Sequence, residues 1–147
     1  MEAALGPFAT STHATGKRLA KARRLAATLC EMLGASLCCP SVAATWTLVT
    51  DVLNHALDYD SCILTPGVFL PFAIELDKCV VQVVSRVLGH ESLPDAVVAQ
   101  LRLDLHRGGG GLPSAATRRM TAHLAAEGRP PPPVSYTHLT LPTICSV

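Results

Sequence analysis

The chain has 147 residues, 12 Lys or Arg against 11 Asp or Glu, and a formal net charge of +1. So even a balance excludes a global electrostatic pull toward nucleic acid or a membrane surface, and the length fits one domain burying about 70% of its unfolded surface. Hydrophobic residues make up 49% and aromatics only 4%, at a mean hydropathy of +0.35, so a core must be built from Leu, Val and Ala.

Residues 1–15 are small and polar around Gly6-Pro7 and read as an N-terminal loop. From Gly16 to Leu33, Leu19, Ala22, Ala26, Leu29 and Leu33 step by three and four, one apolar stripe down a helix that Gly34 ends. Pro40 closes the break ASLCCP. Ser41 is then a plausible N-cap for a second stripe of Val42, Trp46, Val49, Leu53 and Ala56. The segment DYDSCILTPG reads as a turn-rich connector.

A third helix begins near Pro66 or Pro71, with Ala73, Leu76, Val80, Val83 and Val87 on one face and Gly89 beyond it. Its stretch CVVQVV suits a strand on propensity, but the length and three-four stepping favour helix. Ser92-Leu93-Pro94-Asp95 opens a short helix through Leu101. Gly108 to Gly111 form a flexible turn, and Ser114 caps a last helix carrying Ala116, Met120 and Leu124. The expected architecture is all-α: about five helices in a small bundle over residues 16–128. A proline-rich linker at 129–133 leads to an irregular tail at 134–147.

Met1-Glu2-Ala3 lacks the basic region and apolar run of a secretory signal. The longest apolar stretch, 68–88, is broken by Glu75, Asp77, Lys78 and Arg86, so no membrane span is expected. Cys30, Cys38, Cys39, Cys62, Cys79 and Cys145 contain no Cys-x-x-Cys pair and read as reduced thiols. The expectation is an intracellular protein of nucleus or cytoplasm, not a secreted one.

Lys17, Arg18, Lys21, Arg23 and Arg24 put five of the twelve basic residues into eight positions. The apolar stripe leaves most of them on the outer face of their helix, where they could follow a phosphate backbone; the competing reading is a solvated face. Their place near the N-terminal end does nothing for the helix dipole. Asp58-Tyr59-Asp60 beside His55 offers two carboxylates that could hold Mg²⁺, but no third is close in sequence, and a metal site needs more ligands. Asp58 equally suits a turn. His13, His55, His90, His106 and His123 show no metal-ligand spacing. GGGG lacks the Lys-Ser/Thr and preceding strand of a phosphate loop. No catalytic residue, metal, cofactor or small-molecule ligand is expected.

Two resemblances extend this reading. The first concerns VSYTHLTLPT. Back-translated, Val134 to Leu139 resembles the mosaic end CTGTCTCTTATACACATCT of a transposase-based sequencing adapter. Leu139 to Ile144 resembles its primer segment GACGCTGCCGACGA, and Val147 with a stop resembles GTGTAG. The resemblance implies that residues 134–147 are adapter-derived, so that Tyr136, His138 and Cys145 carry no biology. Otherwise the polar alternation would suggest a disordered or edge-strand extension.

The second concerns residues 4 to about 126. LRLDLHRGGGGLPSAATRRMTAHLA resembles the region downstream of the catalytic palm in reverse transcriptases of non-LTR retroelements. There a pattern like LPxxxGGLGLxSA…AhLA recurs. Leu103, Gly108, Gly109, Gly111, Leu112, Ser114 and Ala115 fall on it, while Asp104 stands for the usual Pro and Gly110 for the usual Leu. LVTDVLNHALDYDSCILTP, LDKCVVQVVSRVLG and LPDAVVAQLRL look like the helices ahead of that motif. The opening LGPFATSTHATGKRLAKARRLAATLCEML looks like the link leaving the palm.

The resemblance implies a thumb-like bundle gripping template–primer nucleic acid, incomplete without a missing palm domain that carries the polymerase carboxylates. Residues 1–133 contain no such motif, so the chain as it stands would be a non-catalytic fragment of an RNA-directed DNA polymerase. The alternatives are a small helical protein–protein interaction module whose exposed Leu/Val stripe docks on a partner helix, or a spurious untranslated frame.

Overall fold

A computed structural model describes residues 7–34 and 41–128. The expected linker at 129–133, the tail at 134–147, and Cys38, Cys39 and Cys145 lie outside the described residues. The described chain is all helical: α1 (Pro7–Gly34), α2 (Val42–Thr47) running into a π-helical turn (Leu48–Leu53), α3 (Asp58–Ile63), α4 (Pro66–Val87), α5 (Asp95–Leu101), a 3₁₀ turn (Leu105–Arg107) and α6 (Ala115–Glu127). No strand occurs among the described residues, and none of their helices is long and apolar enough to cross a membrane.

α4 is the central helix, touching α1, α2, the π turn, α3 and α6. Its stripe is buried as its spacing requires: Phe69, Ala73, Leu76, Val80 and Val83 are each at most 2% exposed. CVVQVV is therefore helix, because a stripe this long buries more apolar surface than one short strand could. α1 supplies Leu19, Ala22, Ala26 and Leu29 to the same core. The two helices run side by side in the same direction. Gly16 and Ala20 line a hollow with Phe72, Arg23 pairs with Glu75, and Cys30 and Leu33 share a hollow with Arg86 and His90.

Four expectations change. The N-terminal loop at 1–15 is too long, since α1 already starts at Pro7. Proline is compatible with a first helical turn, and Thr15 is fully buried with its hydroxyl donating to Asp60 Oδ1 at 2.7 Å and to the Ser11 carbonyl at 3.0 Å. The connector DYDSCI is a helix, α3. Ser61 Oγ donates to the Asp58 carbonyl at 2.6 Å and Asp60 is only 4% exposed.

The second stripe holds at Val49 and Leu53, which are buried, and at Trp46 and Ala56, which pack against the core, but not at Val42. Val42 is 60% exposed, whereas Thr45, Val49, Leu53 and Leu57 are all at most 1% exposed. Their spacing is a strict four. An α-helix would rotate each step by about 40° off the last, but the wider π turn, with Asn54 N–H donating to the Val49 carbonyl at 2.9 Å, holds them in line.

The last helix is placed by a carboxylate. Asp77, on α4, is 9% exposed, and its Oδ1 accepts the Ala115 N–H at 2.9 Å and Arg102 Nη1 at 3.0 Å. Its Oδ2 accepts the Ser114 hydroxyl at 2.5 Å and the Ala116 N–H at 3.4 Å. Ser114 Oγ in turn accepts the Thr117 N–H at 3.3 Å, as its N-cap position predicted, and the Ser114 carbonyl takes the Arg118 N–H at 3.0 Å. Three of the four N–H groups that a helix start leaves open, those of Ala115, Ala116 and Thr117, are thereby used.

The glycine run is an ordered turn rather than a flexible one. Gly109, Gly110 and Gly111 donate to the carbonyls of Asp104, Gln100 and Leu103, and Leu112 to that of Leu101, all within 3.3 Å. A Cβ on Gly109 would sit 2.1 Å from the Leu103 carbonyl oxygen, while Gly108 has open space but a φ of +74°.

Gly109→Ala is therefore expected to destabilise by more than about 2 kcal/mol, and Gly108→Ala by only about 1 kcal/mol. Thermal melts should show the larger loss at position 109, and equal losses would contradict the packing described. Asp77→Ala, which strands Arg102 and the α6 start, should cost about 3 kcal/mol or more by urea unfolding.

Candidate nucleic-acid interface

The five cations of α1 do not share one role. With 100° per residue, the buried stripe of Thr15, Leu19, Ala22, Ala26 and Leu29 fixes one face, and Lys17, Lys21 and Arg24 fall opposite it, at i, i+4 and i+7. All three are exposed, and none makes an ion pair among the described residues. The other two lie on the flanks and are neutralised. Arg18 Nη1 donates to Asp60 Oδ1, and its guanidinium carbon lies 5.4 Å from the centroid of the Tyr59 ring. Arg23 Nη2 donates to Glu75 Oε2 at 2.7 Å, and Lys78 Nζ donates to Glu75 Oε1 at 2.9 Å.

Arg18 and Arg23 thus join α1 to its neighbours. The sequence cannot tell them from the other three, because their partners lie 42 and 52 residues away.

The two aspartates once considered for Mg²⁺ are separated by the helix itself. Residues two apart on α3 point to nearly opposite sides. Asp60 faces Thr15 and Arg18 on α1, whereas Asp58 Oδ2 meets His55 Nδ1 at 2.5 Å and Asp58 Oδ1 meets Arg118 of α6 at 3.3 Å. Arg118 also donates to the Asn54 carbonyl at 3.3 Å. Each carboxylate is committed to a cation, and among the described residues no group of three or more His, Cys, Asp or Glu side chains could hold a metal ion. Of the histidines, His123 Nε2 lies 3.2 Å from Glu127 and His106 Nε2 lies 4.0 Å from Asp104, both within single segments. Burial raises the thiol pKa of Cys30 and of Cys79, which keeps both protonated at neutral pH.

Two hollows flank the Lys17–Arg24 row. One, of about 540 Å³, has Phe72 beside Thr12, His13, Gly16, Lys17 and Ala20. The other, of about 350 Å³, lies between α1 and the π turn and is lined by Arg18, Lys21, Ala22, Leu25, Val52 and Ala56. Tyr59, 67% exposed, was overlooked in the sequence. An aromatic between two aspartates reads as turn filler until its neighbour Arg18 is known.

In comparisons with known proteins, the chain matches no family model, no curated protein and no solved structure.

Hydrogen bonds from Lys78 and Arg23 hold the Glu75 carboxyl below its ordinary value of 4.5. Its contribution to stability is present above that value and is lost as pH falls through the lower, folded one. Wild type should therefore melt above Glu75→Gln at pH 7, and the gap should close in melts taken below about pH 4.5. A gap that does not narrow at all as pH is lowered would show that Glu75 acts by packing rather than by charge.

Proposed function

We propose that this chain is a non-catalytic, thumb-like helical piece of a reverse transcriptase-like polypeptide, and that it meets nucleic acid through the phosphate backbone. One observation carries the binding half of this reading. Lys17, Lys21 and Arg24 form a row of exposed cations facing away from the core, with no ion pair among the described residues. Phosphate contact by such a row is independent of sequence, as a contact to template–primer duplex must be. The polymerase half rests on the resemblance of the segment 101–125, with its glycine turn and capped helix. Its discriminating observation is whether the coding frame upstream encodes a palm motif with adjacent aspartates.

A second reading, a docking module for a partner helix, is favoured by α6. Its apolar pair Met120 and Leu124, one turn apart, is 49% and 60% exposed rather than packed inward as expected. Arg118, tied to Asp58 and Asn54, turns that pair outward.

The row spans about 10 Å and can neutralise about three phosphates. Duplex affinity should then fall about 40-fold between 50 and 200 mM salt, a log–log slope of about −2.7. Lys17→Glu with Lys21→Glu and Arg24→Glu should abolish the binding, and Arg23→Ala should leave the slope unchanged. A filter-binding assay showing no affinity at low salt removes the proposal.

A further inference from the structure

We infer that the hollow between α1 and the π turn, together with the neighbouring Tyr59 ring, is a seat for unpaired nucleobases, so that the basic face prefers a single strand to a duplex. The inference rests on the phosphate-binding reading above and adds what that reading lacks, a reason for discrimination.

The hollow has an apolar floor. Ala22 is buried, Leu25 and Ala56 are half-buried, and Val52 stands 48% exposed at its edge. Its only charged lining residues are Arg18 and Lys21, both cationic. Arg18 belongs to two places at once, since its guanidinium also lies over the Tyr59 ring, 5.4 Å from the centroid. That guanidinium is held there by buried Asp60, so the arrangement exists before any ligand arrives. The ring itself is 67% exposed, which leaves an aromatic surface open beside the hollow.

An apolar slot between α1 and the π turn, an exposed aromatic ring on α3 and a row of cations on α1 that are unpaired among the described residues match a planar heteroaromatic group carried on an anionic chain. In a duplex the bases are stacked and paired, and only phosphates reach the protein. In a single strand the phosphates can follow Lys17, Lys21 and Arg24 while one base stacks on Tyr59 and a neighbour enters the hollow. Stacking on an aromatic side chain is sequence-tolerant, so the preference is for strandedness rather than for a particular base.

The test compares a labelled mixed-sequence 24-mer, as a single strand and annealed to its complement, by fluorescence anisotropy on the full chain at 50 mM salt. The single strand should bind at least about 5-fold tighter, and Tyr59→Ala should remove about 5-fold or more from single-strand affinity, the low end for one stacked base. Val52→Glu, which places a carboxylate at the exposed edge of the hollow, should do the same. Tyr59→Ala should leave duplex affinity unaltered, Val52→Glu should weaken the single strand more than the duplex because its carboxylate also offsets Lys21 of the same hollow, and Tyr59→Phe should retain single-strand binding because the ring is kept. Circular dichroism checks that each variant stays helical.

Equal affinity for both probes, or a single-strand affinity untouched by Tyr59→Ala and Val52→Glu, overturns this inference and leaves backbone binding standing. Absence of binding to either probe overturns both.

Discussion

The Asp77 carboxylate is the constraint on which the placement of the C-terminal third depends. A buried charge of this kind is costly to desolvate, by several kcal/mol, and the cost is offset only when its oxygens are fully used. Here Arg102, the Ser114 hydroxyl and the α6 backbone use them together. The consequence is geometric: α4, which is fixed by its own apolar stripe, dictates where α6 begins. α6 needs such an anchor because its apolar residues do little for it. Ala115 is buried, but Met120 and Leu124 face outward. Its far side is held the same way, by Arg118 on Asp58 and on the Asn54 carbonyl. Polar contacts of fixed direction therefore set the position of this helix where a hydrophobic face would have left it free to slide.

α1 carries the opposite imbalance. Five cations within eight positions repel one another, and Lys17 and Lys21 stand at i, i+4, a like-charge spacing that costs about 0.2–0.5 kcal/mol. The fold relieves Arg18 and Arg23 with carboxylates from α3 and α4 and leaves the other three bare. A helix shaped only for stability would have spread these charges or paired them. Among the described residues no carboxylate meets Lys17, Lys21 or Arg24, so three cations of the five stay available on this face.

What the sequence made legible, and what it did not, follows from the range of the forces involved. The α1 and α4 stripes were readable because burial imposes a local period, and Leu19 through Leu29 and Ala73 through Val83 obey it. Val42 falls outside the core because the first buried position of this segment is Thr45, a polar residue that an apolar stripe does not mark. α3 was missed because six polar-rich residues have no period of their own; Asp60 is helical on account of Thr15 and Arg18, some forty residues upstream. The site was legible as a cluster of charge, but the sorting of that cluster was not, since each sorting partner is remote in the chain.

The glycine turn brings these threads to the resemblance with retroelement proteins, and to what that resemblance can carry. Every position of the pattern except Leu103, which is 43% exposed and contributes its backbone, has a structural demand on its side chain here. Gly108 and Gly111 have φ of +74° and +67°, Gly109 has no room for a Cβ, and Leu112 is 2% exposed. The Leu103 carbonyl receives the Gly111 N–H, and Ser114 and Ala115 bond to Asp77. The two departures are also compatible with this backbone. Asp104 has a φ of −63°, the value proline's ring imposes. A Cβ at Gly110 would lie 2.8 Å from the tip of Leu101 and 3.1 Å from its Cα and carbonyl oxygen, so a leucine there would need the Leu101 backbone to give as well as its side chain, and glycine is the residue this turn accepts. A pattern met this closely by a turn and a helix cap answers to local folding and implies no chemistry of its own. Whatever this chain does must then be sought where no folding requirement explains the residues, and the bare cations on the outer face of α1 are the clearest such place.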